Sequence, residues 1–516
     1  MKALPLAFGW VALVTTASAQ PGTLELTFGS GGVATFTVDD VWVPATDILP
    51  MPDGDNLVVS ISRDDQYIDR MLLMRLNPDG TLDNAFGQGG MVRWSPGSLG
   101  MRAQGSKLLP DGKLLVCGNL INGNQLASAS LYRFNADGTP DTSFGTNGRT
   151  LIPHVDANDN LYDMVVLGNG QILCVGEWQD ATSGAILVAR FNEDGSLDSG
   201  FGSGGVLIHE MFPGLPERAL SLFAATDGNY HVYCVRSYTT IFVFGLQTNG
   251  QVNSAYGTSG MFVLNVASPS NNAKNAAHRP DGTLVAAEVN AAGQVQLYCL
   301  DNAGDLVPSF GNNGTIVPNQ TSDPHHLNRM QALPDGSLLG SGSLNDPGPG
   351  SKSMFTHYTE SGDLDPGFGT NGNLLLPYFM FPGSYALTPL PNGKIITVAN
   401  NLSNSTQAVV HVLQLNGPAV GIPELSHSVA DLNCGSGADA AFVDLATGTP
   451  AVSSVTFHDI TGKVVAQVAP TSTSTFNSRS LQISYPTAME PGCYVMRLQD
   501  RTGKPIGNCA VVKAVE

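Results

Sequence analysis

The side chains with the clearest metal-binding chemistry lie in a short acidic turn that recurs along the chain. Three copies of its oxygen set are Asn77, Asp79 and Asp83, then Asn135, Asp137 and Asp141, then Asn192, Asp194 and Asp198. Carboxylate and amide oxygens at this spacing resemble the ligands of calcium loops. The same residues also form Asx turns, in which a side-chain oxygen accepts a backbone N–H bond. We favour the structural interpretation and predict no cofactor, with calcium at these turns as the alternative.

Other motifs with chemical potential give weaker signals. Asp323 with His325 and His326 could bind a metal, but adjacent side chains on a strand point to opposite faces. The segments 200–205 and 367–372 match the G-x-G-x-x-G spacing, yet neither opens a helix that could receive a phosphate. The sequence has no G-x-S-x-G or H-E-x-x-H motif. We therefore predict no catalytic residues and no metal site.

Two recurring turns must position these side chains. The acidic turn leads into an aromatic-glycine pair, and the aromatic residues recur every 54 to 58 positions. They are Phe28, Phe86, Phe144, Phe201, Tyr256, Phe310 and Phe368. A second turn, Pro52-Asp53-Gly54 in its first copy, also occurs once per interval. Asp-Gly and Asn-Gly pairs favour tight hairpins, because glycine tolerates positive φ. We assign a structural role to Asp79, Gly80, Phe86, Gly87, Asp137, Gly138, Phe144, Gly145, Asp194, Gly195, Phe201 and Gly202.

Short apolar runs, such as 114–117 and 395–398, lie between the turns. They are too short for stable helices and lack a 3.6-residue period, so they indicate buried strands. Four strands per repeat, seven times over, predict an all-β fold with a seven-bladed β-propeller over residues 20–417. The repeat region begins with a Phe-Gly element and a single strand. After Leu415, the repeat pattern supplies neither a Phe-Gly element nor the strand that would follow it. The N-terminal strand should therefore complete the last blade and close the ring, whereas a linear β-solenoid is the alternative.

The Asn-x-Asp-Gly-x-Leu-Asp-x-x-Phe-Gly pattern resembles the delta-60 repeat family of bacterial surface and secreted proteins. The resemblance covers about residues 24–417. Repeats four and five depart from the pattern, since Asn249-Gly250 and Ala303-Gly304 replace Asp-Gly and Tyr256 replaces Phe. The family implies repeats and no enzymatic activity.

The repeat period stops after Gly417, and we expect a linker over 418–429 and a β-sandwich domain over 430–516. Alternating runs near 455–465 and 490–498 predict half-buried antiparallel strands. The domain resembles the C-terminal sorting domain of the type IX secretion system of Bacteroidota. The resemblance implies that the type IX export machinery is a partner of this protein. The residues that carry this likeness are Asp459, Gly462, Lys463, Val465, Pro491, Gly492, Tyr494, Arg497, Val511, Val512 and Lys513. Ile422-Pro423-Glu424-Leu425 replaces the usual Tyr-Pro-Asn-Pro, so a plain accessory β-sandwich is the alternative.

Residues 1–19 have the pattern of an export signal. Lys2 supplies the positive charge, residues 4–14 are apolar, and Ala17-Ser18-Ala19 is an A-x-A cleavage site. No later segment approaches the roughly 18 apolar residues of a membrane span. We therefore expect a secreted or outer-surface protein without a transmembrane helix. The net charge of −19 argues against nucleic acid as a partner.

The seven cysteines leave at least one thiol unpaired within the chain. Cys117, Cys174 and Cys234 lie in similar apolar runs and should be small buried core residues. Cys493 and Cys509 flank a predicted hairpin turn and are candidates for a disulfide.

A binding function should lie where the repeats differ. In an up-and-down blade the regular turns share one face, and the longer, irregular loops share the other. Exposed aromatic residues on the irregular face could stack on sugars or anchor a protein, although Trp42 and Trp94 could instead fill gaps between blades. The candidates on this face are Trp42, Trp94, Trp178, Asp64, Asp65, His154, Asp156, His209, Glu210, His325, His326 and Arg329.

These features favour a non-catalytic, secreted propeller that binds a glycan or protein. A propeller hydrolase or lyase is the second hypothesis, and it requires carboxylates with raised pKa values at the channel mouth. A purely structural surface protein is the third.

Overall fold

The computed structural model describes most of residues 20–418 and, beyond them, only separate strands. Within 20–418 the description omits residues 41, 98, 122–126, 154–157, 180–183, 238–239, 265–273, 291, 293, 319–324, 345–351, 377–385, 391 and 405–406. The described residues form strands and turns, as the sequence predicts. They contain no helix long and apolar enough to cross a membrane.

Twenty-eight strands build the repeat region. They are β1 (Val33–Val38), β2 (Ala45–Pro50), β3 (Asn56–Arg63), β4 (Asp69–Leu76), β5 (Met91–Trp94), β6 (Gly100–Leu108), β7 (Leu114–Ile121), β8 (Ala127–Phe134), β9 (Arg149–Leu151), β10 (Asn160–Val166), β11 (Ile172–Gln179), β12 (Gly184–Phe191), β13 (Val206–His209), β14 (Glu217–Ala224), β15 (Tyr230–Arg236), β16 (Thr240–Leu246), β17 (Met261–Leu264), β18 (Ala276–His278), β19 (Leu284–Val289), β20 (Val295–Leu300), β21 (Thr315–Ile316), β22 (His325–Ala332), β23 (Leu338–Leu344), β24 (Lys352–Tyr358), β25 (Asn373–Leu376), β26 (Ala386–Pro389), β27 (Ile395–Asn404) and β28 (Gln407–Leu415).

These strands form seven four-stranded antiparallel sheets, the predicted blades. Blades 1 to 6 take four consecutive strands each, from β2–β5 to β22–β25, and blade 7 has the order β26-β27-β28-β1. The innermost strands β2, β6, β10, β14, β18, β22 and β26 contact their neighbours in turn, and β26 contacts β2 again. The fold is therefore a closed seven-bladed propeller and not a linear solenoid.

The ring closes through the N-terminal strand, as predicted. β1 pairs with β28 in antiparallel register from Val33 opposite Leu413 to Val38 opposite Ala408. Before β1 begins, the Glu25 backbone N–H donates to the Gln414 carbonyl at 2.8 Å. The last blade therefore takes its outer strand from the opposite end of the propeller sequence.

The apolar cores lie between neighbouring blades. In β3, every residue from Asn56 to Ser62 is buried. Val59 and Tyr132 pack in the cluster that joins blades 1 and 2. Burial on both faces explains why the apolar runs lack alternation. Each such large side chain stabilises the fold by about 1.5–3 kcal/mol.

Three predicted core cysteines are buried. Cys117, Cys174 and Cys234 are fully enclosed and carry free thiols, as does Cys299. Burial raises the pKa of the Cys117 thiol to about 12. A neutral, enclosed thiol is a packing group and not a nucleophile.

The aromatic-glycine pair of one blade holds the acidic turn of the next. The Gly145 N–H donates to the Asp194 carbonyl at 2.8 Å. Gly195 lies against the Phe144 ring with a φ of 86°, and a Cβ there would be 2.8–2.9 Å from three ring carbons. Glycine is required at this position by both the left-handed backbone and the close approach. The repeat pattern is thus an interblade contact.

In the C-terminal region the described residues form eight strands in two antiparallel sheets, with orders β29-β30-β34-β33 and β32-β31-β35-β36. They are β29 (Asn433–Ser436), β30 (Ala440–Leu445), β31 (Ser454–His458), β32 (Val464–Val468), β33 (Thr471–Thr475), β34 (Ser478–Ser484), β35 (Gly492–Gln499) and β36 (Pro505–Lys513). Their assembly into a sandwich stays a prediction. In the β35–β36 ladder Cys493 lies opposite Val512, whereas Cys509 lies opposite Met496. The two cysteines are offset by three positions, about 10 Å along the strands, which is too far for a disulfide.

Candidate binding site in the central channel

The tryptophans predicted for the irregular face are packed between blades. Trp94 contacts Tyr132 and Phe134 edge to face, with ring centroids 5.8 and 5.2 Å apart. Trp42 lies under the Arg63 guanidinium, 4.5 Å from the ring centroid. Both indoles pack against the cluster between blades 1 and 2, and Trp178 packs against the cluster between blades 2 and 3. Each is half-buried.

The other residues predicted for the irregular face do not form one cluster among the described residues. Asp64 accepts backbone bonds from Gln66 and Ile68 at 3.0 and 2.9 Å and pairs with Arg70, so it holds its own loop, whereas Asp65 is exposed.

His209 ends β13 and is half-buried. Burial lowers its pKa, and the adjacent Glu210 opposes this shift. His154 and Asp156 lie outside the described residues, and only the backbone of His325 and His326 is described, at the start of β22.

The acidic turns have the geometry of Asx turns. Asp137 accepts the Thr139 N–H at 2.9 Å, and Asp79 and Asp194 make the equivalent bonds to Thr81 and Ser196. These bonds, together with those from the Thr and Ser hydroxyls, lower the pKa of all three carboxyls.

The second aspartate of the turn pairs with a guanidinium. Arg133 Nε donates to Asp141 at 2.7 Å, and Arg190 Nε donates to Asp198 at 2.7 Å. Burial raises the pKa of Asp141, but bonds from Ser143, Lys113 and Arg133 outweigh it and lower that pKa. Protein groups thus already neutralise these oxygens. In the part of the chain that the structure describes, no three His, Cys, Asp or Glu side chains are grouped to hold a metal.

A β-bulge recurs in the innermost strands at the same distance before the regular turn. It falls at Thr46, Gln104, Tyr162, Leu220 and Asn328 in blades 1, 2, 3, 4 and 6. A bulge leaves one residue out of the ladder and frees its backbone groups for other partners. In blade 5 the equivalent residue by sequence is Lys274, which precedes β18.

Lys274 spans the channel to two of these bulges. Its Nζ donates to the Gln104 carbonyl at 3.1 Å and to the Tyr162 carbonyl at 2.7 Å. Its own backbone is fixed to blade 6, because its N–H donates to the Asn328 carbonyl at 2.9 Å. A cation from blade 5 is therefore bonded to blades 2 and 3.

Arg329 makes a similar crossing from blade 6 to blade 1. Its Nη2 donates to Asp47 Oδ1 at 2.9 Å, and Asp47 Oδ2 accepts the Ser106 hydroxyl at 3.1 Å. Asp47 is only 5% exposed. Together with Lys274, this contact ties the inner strands of five blades around the middle of the channel.

Between this layer and the regular turns lies a cavity of about 260 Å³. Its wall comes from blades 2 to 6 and includes Lys107, Asp163, Phe223, Lys274, His278 and Arg329. Asp163 Oδ2 accepts the Leu222 N–H at 3.0 Å, and the Phe223 and His278 rings stack with centroids 6.3 Å apart. Burial lowers the pKa of His278, which favours its neutral form. The arrangement combines fixed cations with an aromatic surface, so it can bind a small polar molecule.

Sequence reasoning placed Arg329 among the candidates but missed the rest of this cavity. The position of Asp47 is occupied in the seven blades by Asp47, Gly105, Asp163, Ser221, Asn275, Arg329 and Ala386. Because six residue types occupy this position in seven blades, comparison of the repeats shows no pattern that would separate it from the apolar strand around it. A charged residue three to six positions before the regular turn was the available signal. The lining residues lie shortly before the regular turns, whereas the sequence analysis expected binding on the face of the irregular loops.

The fold defines a repeat protein of the β-propeller class. Residues 52–86, 109–144 and 167–201 match the family described as "Domain of unknown function (DUF5122) beta-propeller". These segments span the regular turn and the following aromatic residue of three successive repeats. No curated protein matches the sequence.

The solved structures that match this chain are only distantly similar to it. A PQQ-bound aldose sugar dehydrogenase from Streptomyces coelicolor is 12% identical, with a TM-score of 0.33 over 62% of this chain and 100% of its own. A GH43_1 enzyme from Xanthomonas citri complexed with xylose is 12% identical, with a TM-score of 0.26 over 60% of this chain and 86% of its own. The Pseudomonas aeruginosa PilY1 C-terminal domain is 10% identical, with a TM-score of 0.28 over 70% and 81%. Likeness at this level carries no functional argument.

Proposed function

We propose that this chain is an exported, non-catalytic binding module that holds an extracellular glycan or protein in the channel cavity. The observation that carries the proposal is the wall of that cavity, where five blades contribute unlike side chains at equivalent positions. Elsewhere the blades repeat the same turn and the same aromatic contact. Blade-specific chemistry at one place supports a recognition role there.

Two of the cations that line the cavity are held in place before any ligand arrives. Lys274 is fixed by two carbonyls, and Arg329 is fixed by the buried Asp47. Charged groups that are already ordered lose little conformational entropy on binding, so more of their interaction energy appears as affinity.

Array binding with a blocked cavity tests the proposal. The mature chain and an Ala224→Trp variant are applied to glycan and protein arrays. Ala224 is exposed and lines the cavity, so an indole there occupies the space without changing the charge. The control is Ala255→Trp, which adds the same ring at an exposed position of blade 4 outside the cavity. Binding that survives Ala255→Trp and is lost in Ala224→Trp supports the cavity. No binding in either array, or equal binding by both variants, would overturn the proposal.

Export through the type IX system is the second part of the proposal, and the C-terminal residues similar to its sorting domain support it. Cell fractionation and mass spectrometry of the mature protein test it. Loss of residues 1–19 and of residues beyond about 421 supports export with cleavage of the sorting domain. An uncleaved chain retained inside the cell would contradict it.

A further inference from the structure

We infer that the ligand of the channel cavity carries a carboxylate on a group the size of one monosaccharide, as a uronate does. The inference rests on the proposed function and adds the chemical class of the ligand. Three features of the cavity support it: its charge, its hydrogen-bond donors and its dimensions.

The cavity has an excess of positive charge in an acidic protein. Lys107, Lys274 and Arg329 line it, whereas Asp163 is its one lining carboxylate and Asp47 lies behind Arg329. Three cations against these two carboxylates leave one positive charge, although the whole chain carries −19. A local field of this sign attracts an anion and repels the cations that the rest of the surface attracts.

Lys107 is the cation that remains available for a ligand. It is exposed, and among the described residues no ion pair or hydrogen bond of its ammonium group is found. The Lys274 ammonium has three N–H donors and uses two of them for backbone carbonyls. A carboxylate can accept bonds from both ammonium groups.

The arrangement fits a carboxylate better than a phosphate. Many phosphate sites in proteins use bidentate guanidinium groups or clustered backbone N–H groups, and lysine binds phosphate there as a point charge. Here Arg329 already donates to Asp47 at 2.9 Å and to the Thr46 carbonyl at 3.5 Å. Ammonium groups and a single excess charge therefore match a singly charged anion.

The dimensions and the aromatic wall suggest what carries that carboxylate. A volume of about 260 Å³ lies near the lower end of ligand pockets, roughly 300–1,000 Å³, which fits a group the size of one monosaccharide. Phe223, backed by His278, presents a ring to the cavity. An aromatic face can cover the C–H face of a pyranose while the lysines bind its carboxylate.

Titration calorimetry with D-galacturonate, D-galactose, polygalacturonate and inorganic phosphate tests the inference on the full mature chain. We expect galacturonate to bind at least ten-fold more tightly than galactose and phosphate, with weaker binding at high salt.

Lys107→Gln should weaken galacturonate binding at least five-fold. Lys352→Gln, which removes the same charge from β24 outside the cavity, should leave it unchanged. If free galacturonate binds as tightly as polygalacturonate, the ligand is a monosaccharide. If polygalacturonate binds more tightly, the ligand is the terminal residue of a polysaccharide. Either outcome supports the inference.

Equal affinity for galactose and galacturonate, preferred binding of phosphate, or no effect of Lys107→Gln would overturn the inference. So would arrays that yield only neutral ligands. In each of these cases the Ala224→Trp variant still tests whether the ligand that does bind occupies the cavity. A neutral ligand lost in Ala224→Trp leaves the proposed function standing, whereas failure of both variants to alter any binding removes both.

Discussion

At the scale of single residues, five of the repeat aromatics contact a basic or imidazole side chain among the described residues. Arg133 and Arg190 lie 4.6 and 4.7 Å from the Phe144 and Phe201 ring centroids. In blade 4 the equivalent of these arginines is Gly245, where a Cβ would come within 2.6 Å of the Tyr256 Cβ. His231 instead lies beside the Tyr256 ring, with centroids 5.1 Å apart. The degenerate fourth repeat therefore keeps the contact with different residues.

His231 should make the propeller sensitive to mild acid. It is 1% exposed, and neither ring nitrogen has a hydrogen bond of normal geometry among the described residues. Burial and the nearby His278 lower its pKa to about 4, against the opposing effects of Asp227, the Asn302 backbone and Asp301. The unfolded chain binds this proton near pH 6.5. The contribution of His231 to the free energy of unfolding is therefore greatest above pH 6.5. It falls by roughly 2–3 kcal/mol as the pH drops toward 4. Urea unfolding at a series of pH values measures it, and His231→Phe should flatten the profile; an unchanged profile would refute the assignment.

The buried pair of Arg133 and Asp141 should matter more than the exposed acidic turn beside it. Asp141→Asn leaves a guanidinium with 10% exposure without its carboxylate, so we expect a loss of about 3 kcal/mol. Asp137→Asn keeps an oxygen for the Thr139 N–H and should change stability by less than about 0.5 kcal/mol. Chemical denaturation of both variants compares them, and equal losses would argue against this difference.

At the scale of elements, the sequence predicted the strands and turns because their causes are local. Gly80 and Gly195 have φ values of 87° and 86°, as their Asp-Gly turns require. The central site was not predictable in the same way. The bulges at Gln104 and Tyr162 have no local signature, and their bonds to Lys274 join residues that are distant in the chain. The indole of Trp94 is likewise placed by blade packing, which a single sequence does not reveal.

The interblade contact at Gly195 can be separated from its backbone strain. Gly195→Ala introduces strain from a φ of 86° and a methyl group against the Phe144 ring. Gly228 has a φ of 89° and no heavy atom within 4 Å of an added Cβ, so Gly228→Ala introduces the strain alone. We expect Gly195→Ala to lose about 1–3 kcal/mol more than Gly228→Ala. Thermal unfolding of the two variants measures the difference, and matching midpoints would show that the aromatic contact does not lock the blades.

At the scale of the whole molecule, Lys274 acts as a tie between blades that are not adjacent. Lys274→Met keeps most of the side-chain volume but leaves the Gln104 and Tyr162 carbonyls without their donor. We expect a loss of about 1–3 kcal/mol in unfolding free energy. Lys107→Met is the control, because Lys107 is exposed and its ammonium group has no bond among the described residues. Differential scanning calorimetry checks this, and a midpoint no lower than that of the control would contradict it.

The seam of the ring also sets an order of events during folding. Val33 is synthesised early, but its partner Leu413 emerges only after six whole blades have been made. Until then the last blade has no outer strand, and β1 is an unprotected edge that could pair with another chain. Such long-range pairing slows folding, because the chain loses the conformational entropy of loop closure before any stabilising contact has formed. If the chain is exported as proposed, the final blade, and with it a continuous ring, forms only after residues 407–415 have also crossed the membrane.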